Sequence, residues 1–254
     1  MRPSALTVAE PLTASVAVVT TCFNQADLIG DCIESVSRQD TSATVHHVVC
    51  DDGSEDGSLA VLREYEEKLP QLRVLSVTNR GMAAAFNACM MALPDEVEFV
   101  VLIGGDDWLS DNFVSECLRQ LSPGADMVVP AMRRVDYPGH LRWQREMPLQ
   151  SNPTFEQVWA WEMTWAWGVS FYRRRVIVEA GGWHPLVGGD CDWDMWIDLV
   201  RRGHTFAYAP EACFFYRHVP TSMNRTKTPA QWDAARREMM RHHRMDSMPG
   251  PEFS

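Results

Sequence analysis

Through the first half of the chain, nearly unbroken apolar runs alternate with amphipathic stretches. SVAVVTTCF at 15–23 is β-rich and almost wholly apolar or threonine. VHHVVCDDGS at 45–54, LRVLSV at 72–77 and VEFVVLIGG at 97–105 repeat that character. Between them, ADLIGDCIESVSRQ, SLAVLREYEEKL and GMAAAFNACMMAL carry apolar residues at helical spacing. Strands apolar on both faces and separated by helices predict a mostly parallel sheet covered on both sides, an α/β fold. In such a sheet, ligands bind beyond the carboxyl ends of the strands. Asn24, the pair Asp51 and Asp52, and the pair Asp106 and Asp107 all fall at such ends.

The second half is less regular. DMVVPAMRRVD predicts a strand, PTFEQVWAWEM a helix, and GVSFYRRRVIVEAGGWHP a short strand, a helix and a glycine turn. CDWDMWIDLVRRGH predicts a helix stopped by a glycine, FAYAPEACFFYRH a strand pair or one bent strand, and PAQWDAARREMMRHHRM a C-terminal helix. No repeat or linker interrupts this order. The expected organisation is an extension at 1–13, one domain at 14–225 with halves at 14–121 and 122–225, and a helix and tail at 226–254.

Composition narrows the partners. The formal net charge of −11 repels phosphate backbones, so nucleic acid is not an expected partner. No apolar stretch approaches the roughly 20 residues of a membrane span, although the basic stretch RREMMRHHRM suits peripheral membrane contact. The seven cysteines are scattered, with no C-x-x-C pair, and the N-terminus makes a poor secretory signal. Both point to free thiols in a reducing cytoplasm.

Five clusters and one lone histidine suggest chemistry, and most also have a plainer reading. In VVCDDGSEDGS, Asp51 is placed to reach a base or ribose, but Asp, Gly and Ser are also ordinary turn and cap residues. In NRGMAAAFNA, the amides of a helix start and Arg80 suit a phosphate, and an exposed helix entry would look the same. It is neither a P-loop nor a G-x-G-x-x-G. GGDDW puts two acids after two glycines at a strand end. A divalent ion explains both, because Mg2+ is commonly held by one or two carboxylates plus substrate phosphates. GGDCDWDMWIDL sets Asp190, Asp192, Asp194 and Asp198 around a helix start, where acids are favourable in any case and where one could act as a general base. WAWEMTWAWG at 159–168 reads equally as core or as a platform for sugar faces, and His218 is a lone histidine at a strand end.

Together these segments resemble the family 2 glycosyltransferases of GT-A fold, in matching order from about residue 14 to 225. The resemblance rests on VAVVTTCFN, VVCDDGSEDGS, NRGMAAAFNAC, GGDDWL, RRRVIVEAGGWHP, CDWDMWIDLVRRG and YRHVPTS. It implies an inverting transfer of a sugar from a nucleotide-diphosphate donor, expected as a UDP-sugar, to an acceptor hydroxyl or amine, assisted by Mn2+ or Mg2+. It implies donor contacts from Thr21, Phe23, Asn24, Asp51, Arg80, Gly81 and Asp106, with Phe23 stacked on the base. It also implies metal contacts from Asp106, Asp107 and His218, and Asp192 as the catalytic base. Trp165, Trp167 and Trp193 are the expected acceptor contacts, the acceptor being a small molecule, a glycan or a carrier-linked species. Two positions depart from the pattern. Gly104 replaces the first acid of the metal motif, and Cys191 stands where a Glu usually precedes the catalytic Asp. The competing readings are a purely structural scaffold, which would leave the aspartate clusters without a shared purpose, a non-catalytic nucleotide-sugar binder or partner protein, and a sugar nucleotidylyltransferase. The last would want a Gly-rich basic loop after the first strand, which TTCFNQAD is not.

Overall fold

The first strand, β1 (Ser15–Cys22), sends Val16 and Val18 into one apolar layer and Ala17 and Val19 into the other, and all four are fully buried. That period of two, apolar on both sides, is what a strand sandwiched between helical layers requires. The computed structural model describes residues 14–121, 124–136, 140–145 (backbone only), 153–159, 169–185, 190–219 and 227–245.

Three more strands extend β1 in parallel: β2 (Thr44–Asp51), β3 (Leu72–Ser76) and β4 (Phe99–Gly104). Their connections are helices α1 (Ile29–Ser37), α2 (Ser58–Lys68) and α3 (Met82–Met91). Cys22 lies beside Asp51, Thr21 beside Gly104, and Asp51 beside Ser76. The carboxyl ends of the four strands therefore form one edge.

Beyond β4 the sheet changes character. The remaining elements are β5 (Trp108–Leu109), α4 (Phe113–Gln120), β6 (Met127–Asp136), β7 (His140–Arg145), α5 (Phe155–Trp159), β8 (Phe171–Arg173), α6 (Arg174–Ala180), α7 (Cys191–Arg201), β9 (Phe206–His218) and α8 (Pro229–His242). The order across the sheet is β3-β2-β1-β4-β8-β6-β9-β5, with β7 also on β6. The short β8 runs antiparallel to both β4 and β6 and joins the two halves of the sheet. Strand β9 is one bent strand. Its register against β6 shifts between Pro130 and Ala131, where the partners jump from Ala209 to Cys213.

One layer of the core joins α3, α6 and α7 to the sheet, with Met239 of α8 included; the other joins α1, α4 and Leu62 of α2. All seven cysteines are free and buried. No helix among the described residues is long and apolar enough to cross a membrane.

Candidate active site

The loop after β1 and the loop after β2 are stitched together. Asn24 adopts φ 54°, a left-handed conformation that Asn tolerates better than most residues. In that pose its backbone N–H donates to Ser54 Oγ at 2.9 Å, and its Oδ1 accepts from the Glu55 N–H at 2.8 Å. Gln25 N–H donates to Ser58 Oγ at 2.8 Å and Ala26 N–H to Asp56 Oδ2 at 3.1 Å. Much of the DGSEDGS segment is thus scaffold. Phe23 is held at the rim with its ring 46% exposed, which is unusual for so large an apolar group.

The adjacent acids Asp51 and Asp52 divide their work. Asp52, 4% exposed, accepts from the Arg80 N–H at 2.9 Å through Oδ1 and from the Gly81 N–H at 2.8 Å through Oδ2. It thereby fixes the entry of α3, where Gly81 takes φ 87° and ψ 162°, a region essentially restricted to glycine. Arg80 keeps its side chain exposed. Asp51 is 1% exposed, and its Oδ1 is buried with no hydrogen-bond partner among the described residues. A buried acceptor without a donor is costly and marks a place for a ligand N–H or O–H. Sequence reasoning singled out Asp51 and missed Asp52, whose role depends on a contact 28 residues away.

At the end of β4, Gly105 N–H donates to Thr21 O at 2.9 Å. A Cβ on Gly105 would meet Gln25 Oε1 at 2.5 Å, Ile29 Cδ1 at 2.7 Å and Thr21 O at 3.2 Å, so a larger residue would displace both side chains and press on the β1 backbone. At Gly104 a Cβ would lie 2.8 Å from Asp106 Oδ1, so the Asp106 carboxyl takes the space over the position where the expected motif has its first acid. Burial raises the Asp106 pKa, opposed by the nearby Arg217 charge and a hydrogen bond from Gln25. Burial and the Asp106 charge push Asp107 well above the usual carboxylate range.

Arg217, on β9, is the residue the sequence reading did not name. It is 7% exposed. Its backbone N–H donates to Asp107 Oδ1 at 2.8 Å, its Nε–H to Asp106 O at 2.9 Å, and its Nη2 to Asp31 Oδ2. Its guanidinium lies 4.6 Å from the centre of the Trp108 ring. The buried arginine thus lends its positive charge to both adjacent acids without bonding either carboxylate through its side chain. Asp107, expected as a metal contact, has one oxygen committed to β9. His218, expected as another, accepts from Arg134 Nη2 at 2.6 Å through Nδ1 and faces Asp136 Oδ1 at 3.3 Å. That leaves Asp106 as the accessible carboxylate at this strand end. One carboxylate plus substrate phosphates is a donor set that fits a divalent ion arriving with a diphosphate.

Helix α7 begins with Cys191, which is fully buried, and then Asp192. Asp192 remains partly exposed, with Oδ1 accepting from the Trp193 N–H at 2.9 Å. Burial raises its pKa to about 6, aided by the Asp190 charge and opposed by the Trp193 N–H and Lys227. Asp190 forms a buried ion pair with Lys227, whose ammonium also sits 4.1 Å from the Trp232 ring centre. Asp194 is 2% exposed and bonds His242, the last residue of α8, and His243, its C-cap. Trp196 Nε1 donates to Tyr172 OH at 2.9 Å and locks α7 onto β8.

Trp193, expected as an acceptor contact, is 5% exposed; its Nε1 donates to Val158 O at 2.8 Å and its ring packs on Trp159. In this structure it is a core residue: one position on from Asp192, about 100° round the helix, its side chain packs against α5. Trp165 and Trp167 lie outside the described residues.

The family model described as Glycosyl transferase family 2 matches residues 17–182. The chondroitin synthase of Escherichia coli is 24% identical over 205 residues, which is 78% of this chain and 28% of that protein. The hyaluronan synthase of Pasteurella multocida is 29% identical over 205 residues, 78% of this chain and 20% of that protein. The chain thus spans less than a third of the length of these two relatives. Among solved structures, S. aureus TarS 1-349 in complex with UDP-GlcNAc superposes with a TM-score of 0.67 at 16% identity, over 84% of this chain and 62% of that one. The mannosyltransferase PcManGT from Pyrobaculum calidifontis, in complex with GDP-Man and Mn2+, gives 0.63 at 18% identity, over 92% and 65%.

Proposed function

The chain belongs to glycosyl transferase family 2 and has the GT-A fold, and from that premise we propose that it moves a sugar from a UDP-sugar to an acceptor hydroxyl or amine with inversion at the anomeric carbon. The observation that carries this reading is Asp192: a partly exposed carboxylate whose pKa is raised to about 6 at a helix start locked to the sheet. A base that is ionised at neutral pH yet close to it in pKa is well matched to taking a proton from an acceptor.

In this reading the donor half is 14–121 and the acceptor half 122–225. Phe23 stacks on the base, Asp51 Oδ1 accepts a base N–H, and Arg80 with the amides at the entry of α3 faces phosphate. Thr21, Asn24 and Gly81 shape the cleft through their backbones. Asp106 holds Mn2+ or Mg2+ together with the donor diphosphate. When bound, the ion offsets the charge growing on the leaving oxygens. Asp192 takes the acceptor proton, and the freed oxygen or nitrogen attacks the anomeric carbon from the face opposite the diphosphate. Trp165 and Trp167 contact the acceptor.

The test is Asp192→Asn, which keeps shape and removes the proton acceptor. UDP-sugar binding is expected to stay within about twofold of wild type, while transfer falls by about 10²-fold or more. A variant that turns over near-normally would overturn the assignment.

A further inference from the structure

Three imidazoles surround one buried carboxylate on the far side of α7 from Asp192. Asp194 has its side chain 3% exposed. His242 Nδ1 lies 3.1 Å from its Oδ1 and 3.0 Å from its Oδ2, and His243 Nε2 lies 2.9 Å from Oδ1. His184, from the turn after α6, stacks on His242 with ring centres 4.0 Å apart and planes 19° apart. Hydrogen bonding accounts for His242 and His243 as a tether for α8. It does not account for His184, whose Nδ1 is buried with no partner among the described residues.

We propose that His184, Asp194 and His242 form a binding site for a Zn2+-class transition-metal ion, separate from the strand-end carboxylates. One ligand atom from each lies within 4.8 Å of the other two. Tetrahedral zinc, with bonds of about 2.0–2.2 Å, wants neighbouring ligand atoms roughly 3.4 Å apart. Closure by about 1.4 Å or less completes the set, and His242, with its side chain 37% exposed, has room to turn. Two imidazoles and one carboxylate favour zinc over magnesium or calcium, which prefer all-oxygen shells. His243 would remain bonded to Asp194 as the partner that orients the carboxylate. The exposed side of His242 leaves the fourth position to water. The ion would join the turn at 181–184, α7 and α8, and so pin the C-terminal helix to the core.

Calorimetric titration of Zn2+ into the chelator-treated full chain tests the site. One equivalent is expected to bind and to raise Tm, with affinity at least tenfold lower in His184→Ala and in His242→Ala and unchanged in Asp106→Ala. Circular dichroism checks that each variant is folded. Co2+ added to the wild type reads the same site without any variant, and visible absorption of four-coordinate Co2+ is expected. Substoichiometric zinc, zinc affinity unmoved by both histidine variants, or the absence of a Co2+ spectrum would each overturn the proposal.

Discussion

In the proposed reading, Asp192 trades stability for use. Its folded pKa of about 6 stands above the ordinary value of 3.8, so the folded state resists the ionised form. The stability it contributes is gained as pH falls through about 6 towards 3.8 and is absent above that window. At neutral pH the group is therefore a burden, and Asp192→Asn is expected to melt no earlier than wild type. Activity has the opposite sense, because a base must be ionised to act. The acid limb of kcat against pH is expected to bend near 6 and to fall about tenfold per unit below it, and a profile flat down to pH 4.5 would remove Asp192 from the chemistry. Asp106 reports on a different partner. Asp106→Ala is expected to weaken donor binding in Mn2+ by tenfold or more and to change it little in EDTA; equal losses under both conditions would mean that the side chain serves no ion.

Between elements, the decisive contacts join strand ends to helix starts. Asp52 ties the end of β2 to the entry of α3 through two backbone N–H groups. Asp52→Asn keeps one acceptor at best and turns an amide N–H towards a donor. A stability loss of about 1–3 kcal/mol in denaturant melts is expected. Donor affinity should fall with it, while the bend near pH 6 stays in place. The alternation of apolar strands and amphipathic helices made β1 to β4 and α1 to α3 legible in the sequence, because each pattern is local and strong. Asp51 and Asp106 were legible as site candidates because a parallel sheet gathers the same ends of its strands. Asp52 was not, because its oxygens are claimed by residues 28 and 29 positions later. Arg217 was harder still. The signal is an arginine beside His218, and its four partners come from α1, the end of β4 and β5. The two-residue β5 and three-residue β8 carry no periodicity to read.

For the molecule as a whole, the structure describes the strand ends of the first half continuously, whereas residues 160–168, which hold Trp165 and Trp167, lie outside the described residues. Trp193 packs in the core, so the proposed acceptor platform is left with Trp165 and Trp167. Alanine at either is expected to raise acceptor KM several-fold with donor affinity unmoved; a much lower Tm instead would make them core residues as well. The placement of β8 has a consequence for how the chain reaches this state. Strand β4 is bounded by β1 on one side and, on the other, by the short β8 with its flanking residues Ser170 and Arg174. During synthesis, β1 to β4 emerge long before residue 171. Until then, β4 presents an open row of amides and carbonyls along one of the most apolar segments of the protein, a ready template for pairing with another chain. The three residues of β8 thus act as a guard against aggregation that arrives late, and the nascent protein is most vulnerable during the interval before they dock.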